Sequence, residues 1–538
     1  MHLLVRETRT LDEAEAANDL RQSPGDIVVL SFSDSDLGAL AAAWQAMDEP
    51  KPSLRLANLA RLRHPMSVDL YVEDVLAHAR CVFVRLLGGV DYWRYGAEEV
   101  AAACRAQEIA LAMIPGDGRA DERLAALSTL SPPLRDRLDR LMAQGGPANM
   151  GRALRLAAHV AHAGGLAPDD GLAAEAVPSH GVHAVGFPER AGERLAVIVF
   201  YRSYLLAGDM APVQALAAAL DARGLAVRAL FVASLKEPES AAFTAQTLRT
   251  WKPTVVLNAT GFAARQGEGG SPLDAADAPV LQIVLAGSTR DTWAASSRGL
   301  TPADLAMQVV MPELDGRLLT AAASFKHEEP AVAGLNFARS VHRPDPGGIG
   351  IAADRAAGWA RLAGTSAAKR RVALLLSDYP NAGGQVGHAV GLDTFASAQQ
   401  ILTLLQRAGY DTRSSDDLVA ALTQDPPTPL LSLTDYRRLF ASLPPAARQR
   451  IVSCWGEPDA DAALSEGWFT LRHLVLGRVV VAIEPARGSL SQRKATYHDP
   501  DLPPCHGYVA FRLWLRHLTG AHVLVHLGAH GSLEWLPG

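Results

Sequence analysis

Short apolar runs recur along this chain, separated by Ala- and Leu-rich stretches at helical spacing, and this alternation constrains the fold more than any other feature. The first section carries HLLV from His2, IVVL from Ile27, LRLANL from Leu54, CVFVRLL from Cys81 and IALAMI from Ile109. Between them lie helical stretches such as Asp36–Gln45 and Ala97–Ala106. Strand runs alternating with helices predict a parallel sheet covered on both faces.

At 538 residues the chain is too long for one core. We expect an α/β protein of several doubly wound, flavodoxin- or Rossmann-like parallel-sheet domains joined by a helical connector. The expected pieces are an N-terminal α/β domain over 1–131, a helical connector and loop over 132–192, a second α/β domain over 193–345 and a third over 368–538. The connector is read from LRDRLDRLMAQ and MGRALRLAAHVAHAGG, where strand runs vanish. RSYLLAGD after the strand LAVIVFY reads as a loop, and DPPTPLLS from Asp425 as an internal loop.

Composition excludes several functions. The net charge of −6 and the lack of any Lys- and Arg-dense stretch argue against a nucleic-acid surface. No run reaches the roughly 18 apolar residues of a membrane span, and the acidic start MHLLVRETRTLDEAE lacks signal-peptide character. Four cysteines without a CxxC pair fit a reducing cytoplasm. There is no GxxxxGK[ST] loop, HExxH, strand-following GxGxxG or GxSxG elbow. If the work consumes ATP, another polypeptide must hydrolyse it.

Ligands of doubly wound sheets bind beyond the carboxyl ends of the strands. Polar residues recur there: Tyr201 and Arg202; Asn258 and Thr260; Ser377, Asp378, Tyr379 and Asn381; Glu484 and Arg487. Six of the 17 histidines fall from His498 onward. His517 reads as a helix-end residue favoured by the dipole, and His522 as a residue preceding a strand. His526, His530 and Glu534 are sharper. Their spacing of four would share a helix face, but Gly528 and Gly531 favour a strand running into a turn. Imidazole suits Co, Ni, Cu and Zn, and a Glu serves as ligand or base.

Longer stretches then become recognisable. PARG…KATYHDPDLPPCHGYVAFRLWLR followed by HLGAHGSLEWLPG resembles the large subunits of the aerobic cobaltochelatase (CobN type) and magnesium chelatase family. HPMSVDLYVEDVLAHARCVFVRLLGG, VFYRSYLLAGDMAPVQALAAAL, VLAGSTRDTWAASSRGLTPADLAMQVVMPELDG and GLDTFASAQQIL are similar to it in order, along essentially the whole chain. HPMSVDLYVE and AASSRGL favour the cobalt branch. Family chains continue past EWLPG, so this chain is expected to be an N-terminal portion whose third domain is cut short and which is inactive alone. Ala529 and Ser532 stand where many cobalt-type members have Lys and Asn.

The resemblance implies ATP-dependent insertion of Co²⁺, the substrate metal, into hydrogenobyrinic acid a,c-diamide during cobalamin synthesis. ATP, with Mg²⁺, would be hydrolysed on two smaller AAA+-type partner subunits. It implies that His526 and His530 hold or hand over the metal, and that Glu534 takes up a proton or joins the ligand set, with His530 and Glu534 at the chemistry. Arg202, Arg487 and Lys494 would pair with macrocycle carboxylates. Tyr379, Tyr497 and Trp535 would stack on the ring, against the competing reading of core packing. Tyr201, Asp378, Asn381, Glu484 and His498 would line the same cleft. The alternatives are a magnesium chelatase large subunit, placing Mg²⁺ in protoporphyrin IX, and a non-catalytic tetrapyrrole or cobalt carrier.

Overall fold

A computed structural model describes residues 17–116, 120–163, 173–187, 194–265, 269–332, 334–377, 387, 389, 391–415, 418–488, 499 and 501–528. The apolar run from His2 lies outside the described residues. The chain divides into two compact units, Met1–Trp359 and Ala360–Gly538. Its α/β architecture with parallel sheets is the one the alternation predicts.

The first unit holds two sheets. One contains β1 (Ile27–Ser31), β2 (Leu54–Asn58), β3 (Cys81–Leu86) and β4 (Ala110–Pro115), in the order β2-β1-β3-β4 and all parallel. Successive side chains of a strand point to opposite faces, and here both faces are apolar. Ile27, Val29, Cys81, Phe83, Ala112 and Ile114 enter one core. Val28, Leu30, Val82, Val84, Leu111 and Met113 enter the other. The helix Asp34–Gln45 covers the first face and the helices Pro65–Asp74 and Arg94–Ala106 cover the second.

The stretch expected as a connector is part of these layers. Leu134, Leu138, Leu141, Met142, Met150 and Leu154, from helices Pro132–Gln144 and Gly146–Ala163, are buried in the core of the first face. The same stretch also contributes a strand, β5 (His180–His183), whose polar HGVH sequence carries no apolar signal.

The second sheet adds β6 (Arg194–Tyr201), β7 (Leu225–Val232), β8 (Val255–Asn258), β9 (Val280–Thr289), β10 (Leu318–Glu328) and β11 (Ser340–Pro344). Its order is β11-β10-β9-β8-β6-β7-β5. The five central strands are parallel, and β5 and β11 pair antiparallel at the two edges. RSYLLAGD is not a loop: Arg202–Ala207 forms a short helix, closed by left-handed Gly208 at φ 68°.

In the second unit, β12 (Val372–Leu376) lies in a sheet separate from the small antiparallel one of β13 (Thr428–Ser432), β14 (Leu464–Ser465) and β15 (Trp468–Leu471). β12 pairs parallel with β17 (Val479–Ile483) on one side and β18 (Val523–Leu527) on the other. β16 (His473–Leu476) forms a hairpin with β17 at the edge, giving the order β16-β17-β12-β18. Part of the expected loop DPPTPLLS is β13. An edge strand tolerates Pro429, and a register shift lies between it and Leu431.

Candidate functional site at the carboxyl ends of the second unit's parallel sheet

Period-two alternation assembles the site. Val372, Leu374, Leu376, Val479, Val481 and Ile483 face the helices Thr394–Arg407 and Leu418–Thr423. Ala373, Leu375, Val480 and Ala482 face the opposite way, onto Phe511, Trp514 and Leu515 of the helix His506–His517. Continued past the strand ends, the second set reaches Ser377 and Glu484, and the register Leu375↔His526 adds His526 to the same face. Glu484 and His526, distant in sequence, thus meet at the strand ends.

Glu484 is the hub. Its side chain is only 2% exposed, and its backbone N–H donates to the Leu376 carbonyl at 2.9 Å. One carboxylate oxygen, Oε1, pairs with the Arg512 guanidinium and accepts the Tyr508 hydroxyl at 3.4 Å. Arg512 also donates to the Tyr508 oxygen at 2.8 Å and lies over the Tyr508 ring at 4.9 Å. The other oxygen, Oε2, lies 3.3 Å from His526 Nε2. That distance is ion-pair range, although the approach is too oblique for a formed hydrogen bond. The Glu484 carboxylate is thus buried and engaged by two side chains of the helix His506–His517.

Two expected anion-binding arginines are also occupied. Arg487 is 2% exposed and donates to the carbonyls of Asp499 and Leu502, the latter at 2.5 Å. Its own carbonyl accepts the Cys505 N–H at 2.8 Å, so it pins the segment entering the His506–His517 helix. In the first unit, Arg202 donates to the carbonyls of Pro178 (2.9 Å), Gln144 (2.7 Å) and Val177 (3.1 Å). Both act as backbone clamps, because a guanidinium turned inward satisfies carbonyls that burial would otherwise strand.

Residues at the ends of β6 and β8 in the first unit are held by internal hydrogen bonds. Tyr201 donates its hydroxyl to the Gly261 carbonyl at 3.0 Å, and burial pushes that hydroxyl's pKa up to about 12. Asn258, Thr260 and Gln282 form a buried network, with Asn258 Nδ2 donating to Gln282 Oε1 at 2.8 Å and Thr260 Oγ1 to Asn258 Oδ1 at 2.8 Å. Beside it Asp315 and Arg317 pair at 2.9 Å, both buried.

The histidine cluster separates into different roles. His506 is buried, with Nε2 at 2.9 Å from the Gly456 carbonyl and Nδ1 at 2.5 Å from the Tyr436 hydroxyl. A carbonyl only accepts, so Nε2 carries the proton and Nδ1 accepts from Tyr436. His522 Nδ1 accepts the Arg371 N–H at 2.9 Å, and desolvation, then nearby arginines, lower its pKa. His517 ends its helix as expected. His526 alone of the described four lies at the strand-end cluster.

Asp378, Tyr379, Asn381, Lys494, Tyr497, His498, His530, Glu534 and Trp535 lie outside the described residues. Among the described residues no three His, Cys, Asp or Glu side chains converge as a metal cage. A cavity of about 500 Å³, lined by Arg371, Arg478, Trp514 and Leu518, opens at the amino ends of the same sheet, away from His526. Arg512 and Tyr508 were not singled out from sequence. The available signal was a charged residue inside the otherwise apolar helix YVAFRLWLRHL, four residues after a tyrosine.

The carboxylate and the imidazole lie at the carboxyl ends of a parallel sheet, the place where ligands of doubly wound proteins bind. The family model CobN/Magnesium Chelatase matches residues 140–538, and the chain belongs to that family. It is 39% identical over 568 residues to the aerobic cobaltochelatase subunit CobN of a Sinorhizobium species, covering 100% of this chain and 44% of that protein. The corresponding Pseudomonas aeruginosa protein is 37% identical, with 100% and 45% covered. A magnesium-chelatase subunit of Cereibacter sphaeroides is 27% identical, with 65% and 32% covered. The solved catalytic subunit of cobaltochelatase from Mycobacterium tuberculosis superposes with a TM-score of 0.69 at 29% identity, covering 96% of this chain and 44% of that one. The chain thus spans less than half the length of these relatives. Among the described residues, no helix is long and apolar enough to cross a membrane.

Proposed function

We propose that this chain is part of the large, macrocycle-binding subunit of an ATP-dependent cobaltochelatase, a ligase that inserts Co²⁺ into hydrogenobyrinic acid a,c-diamide in the cytoplasm. The observation that carries the proposal is the likeness to two cobaltochelatase subunits along the whole chain, against 65% of it for a magnesium-type relative. The lack of a phosphate-binding loop supports ATP hydrolysis on partners, two smaller AAA+-type subunits. Four free cysteines fit a reducing compartment.

Insertion faces two obstacles: the metal must shed water, and ring nitrogens must lose protons. His526, partly exposed at the strand ends, supplies a nitrogen ligand for a metal in transit. His530 and Glu534, a few residues on, are proposed as further ligand and proton acceptor. Asp378, Tyr379, Asn381, Lys494, Tyr497 and His498 are proposed to line the macrocycle cleft.

The test is insertion by the complete subunit with its ATPase partners. Co²⁺ with the corrinoid precursor should give ATP-dependent product, and Mg²⁺ with protoporphyrin IX should not. The reverse selectivity would assign the magnesium branch. Macrocycle binding, followed by ring absorbance, without insertion of either metal would make the chain a carrier.

A further inference from the structure

We infer that Glu484 is a positioning residue that fixes the tautomer of His526, so that Nδ1, and not Nε2, is the nitrogen the ring offers to a metal or a proton. The metal part of this statement rests on the proposed function; the tautomer does not.

His526 Nε2 is shut off from solvent and has no formed hydrogen bond among the described residues. The carboxylate oxygen facing it, at 3.3 Å, is Glu484 Oε2. An unprotonated Nε2 would place a second acceptor 3.3 Å from that oxygen, too close for a water to separate them, whereas a protonated Nε2 puts a positive edge there even at an oblique approach. Nε2 therefore carries the proton, and in the neutral ring the lone pair is left on Nδ1. Glu484 can do this because it is held as a charged acceptor. Arg512 neutralises Oε1, the Tyr508 hydroxyl approaches the same oxygen, and Oε2 faces the imidazole. A carboxylate behind a histidine that orients the ring and fixes its tautomer is a recurrent support for metal-binding imidazoles. Here the support comes from two elements. β17 delivers Glu484, and the helix His506–His517 delivers the residues that lock it.

The experiment is a two-bond ¹H–¹⁵N correlation spectrum of the 538-residue chain, ¹⁵N-labelled at histidine, with His526→Gln identifying the signal. The wild type should show His526 with a protonated Nε2 and a bare Nδ1. In the double variant Glu484→Leu/Arg512→Met, which removes both ends of the buried pair, the His526 signals should move to an average of two tautomers. His506, fixed independently by Gly456 and Tyr436, should keep its pattern and so report an intact fold. A protonated Nδ1 in the wild type would overturn the inference without recourse to any variant. So would a single Nε2–H form that survives in the folded double variant. Neither readout needs metal. A chain that shows the tautomer while Co²⁺ leaves His526 unperturbed would remove the metal role and leave the positioning role standing.

Discussion

Gly528 sits against Ser377 so closely that a Cβ at residue 528 would lie 2.5 Å from the Ser377 Cβ. The two residues follow neighbouring parallel strands, and the Ser377 N–H donates to the Leu527 carbonyl at 2.9 Å. The glycine that argued against a helix through His526 and His530 is thus required by the approach of the β12 and β18 ends. Gly528→Ala should force them apart, at a cost of about 1–3 kcal/mol. Urea denaturation of the second unit's transition measures it; unchanged stability would show that the strand ends yield freely.

The Glu484–Arg512 pair should show the asymmetry of buried charges. Arg512→Met strands a carboxylate that is 2% exposed, and should cost about 3 kcal/mol or more. Glu484→Leu/Arg512→Met removes both charges of the pair and should lose less than Arg512→Met alone. Denaturation midpoints of the three proteins test the order.

Arg487→Met separates clamp from substrate-binding roles. With its guanidinium turned onto the Asp499 and Leu502 carbonyls, removal should destabilise by about 2–3 kcal/mol and loosen the approach to the His506–His517 helix. Hydrogen exchange at Cys505, whose N–H donates to the Arg487 carbonyl, should accelerate. A variant of full stability with weakened macrocycle binding would restore the direct role first expected.

His342 should make the first unit acid-sensitive. Burial, with Lys326 nearby, lowers its pKa from the ordinary 6.5 to about 3. Ser324 Oγ lies 3.0 Å from Nδ1, and the residue's backbone N–H donates to the Asp209 carboxylate, itself raised by burial. Between those pH values the unfolded chain binds a proton that the folded chain refuses. Stability is therefore present above pH 6.5 and falls as pH drops toward 3, with a limiting slope of about 1.4 kcal/mol per unit. Thermal melts between about pH 6.5 and 5, where few carboxylates titrate, should show the fall in the wild type and a flatter profile in His342→Gln.

What the sequence determined by itself was whatever local periodicity encodes. Apolar runs between Ala- and Leu-rich stretches marked β1, β3, β4 and β6, because a strand buried on both faces must be continuously apolar. The terminal histidines pointed to the end of β18, and the family likeness extended along the chain. The sequence was silent where structure comes from partners. β5 and β13 are polar or Pro-bearing and become strands only because a neighbour supplies the ladder. The helices over 132–163 looked like a connector because their burial depends on a sheet formed far upstream.

Charge placement was the part only the tertiary structure decided. Glu484, Arg487 and Arg202 have the composition of ligand-binding residues, and nothing local distinguishes a guanidinium facing a cleft from one facing its own backbone. The register of β18 on β12, and the seating of the His506–His517 helix over β17, turned Glu484 toward Arg512 and His526. A carboxylate must be paired once it is buried, so the packing, and not the residue type, assigned its role.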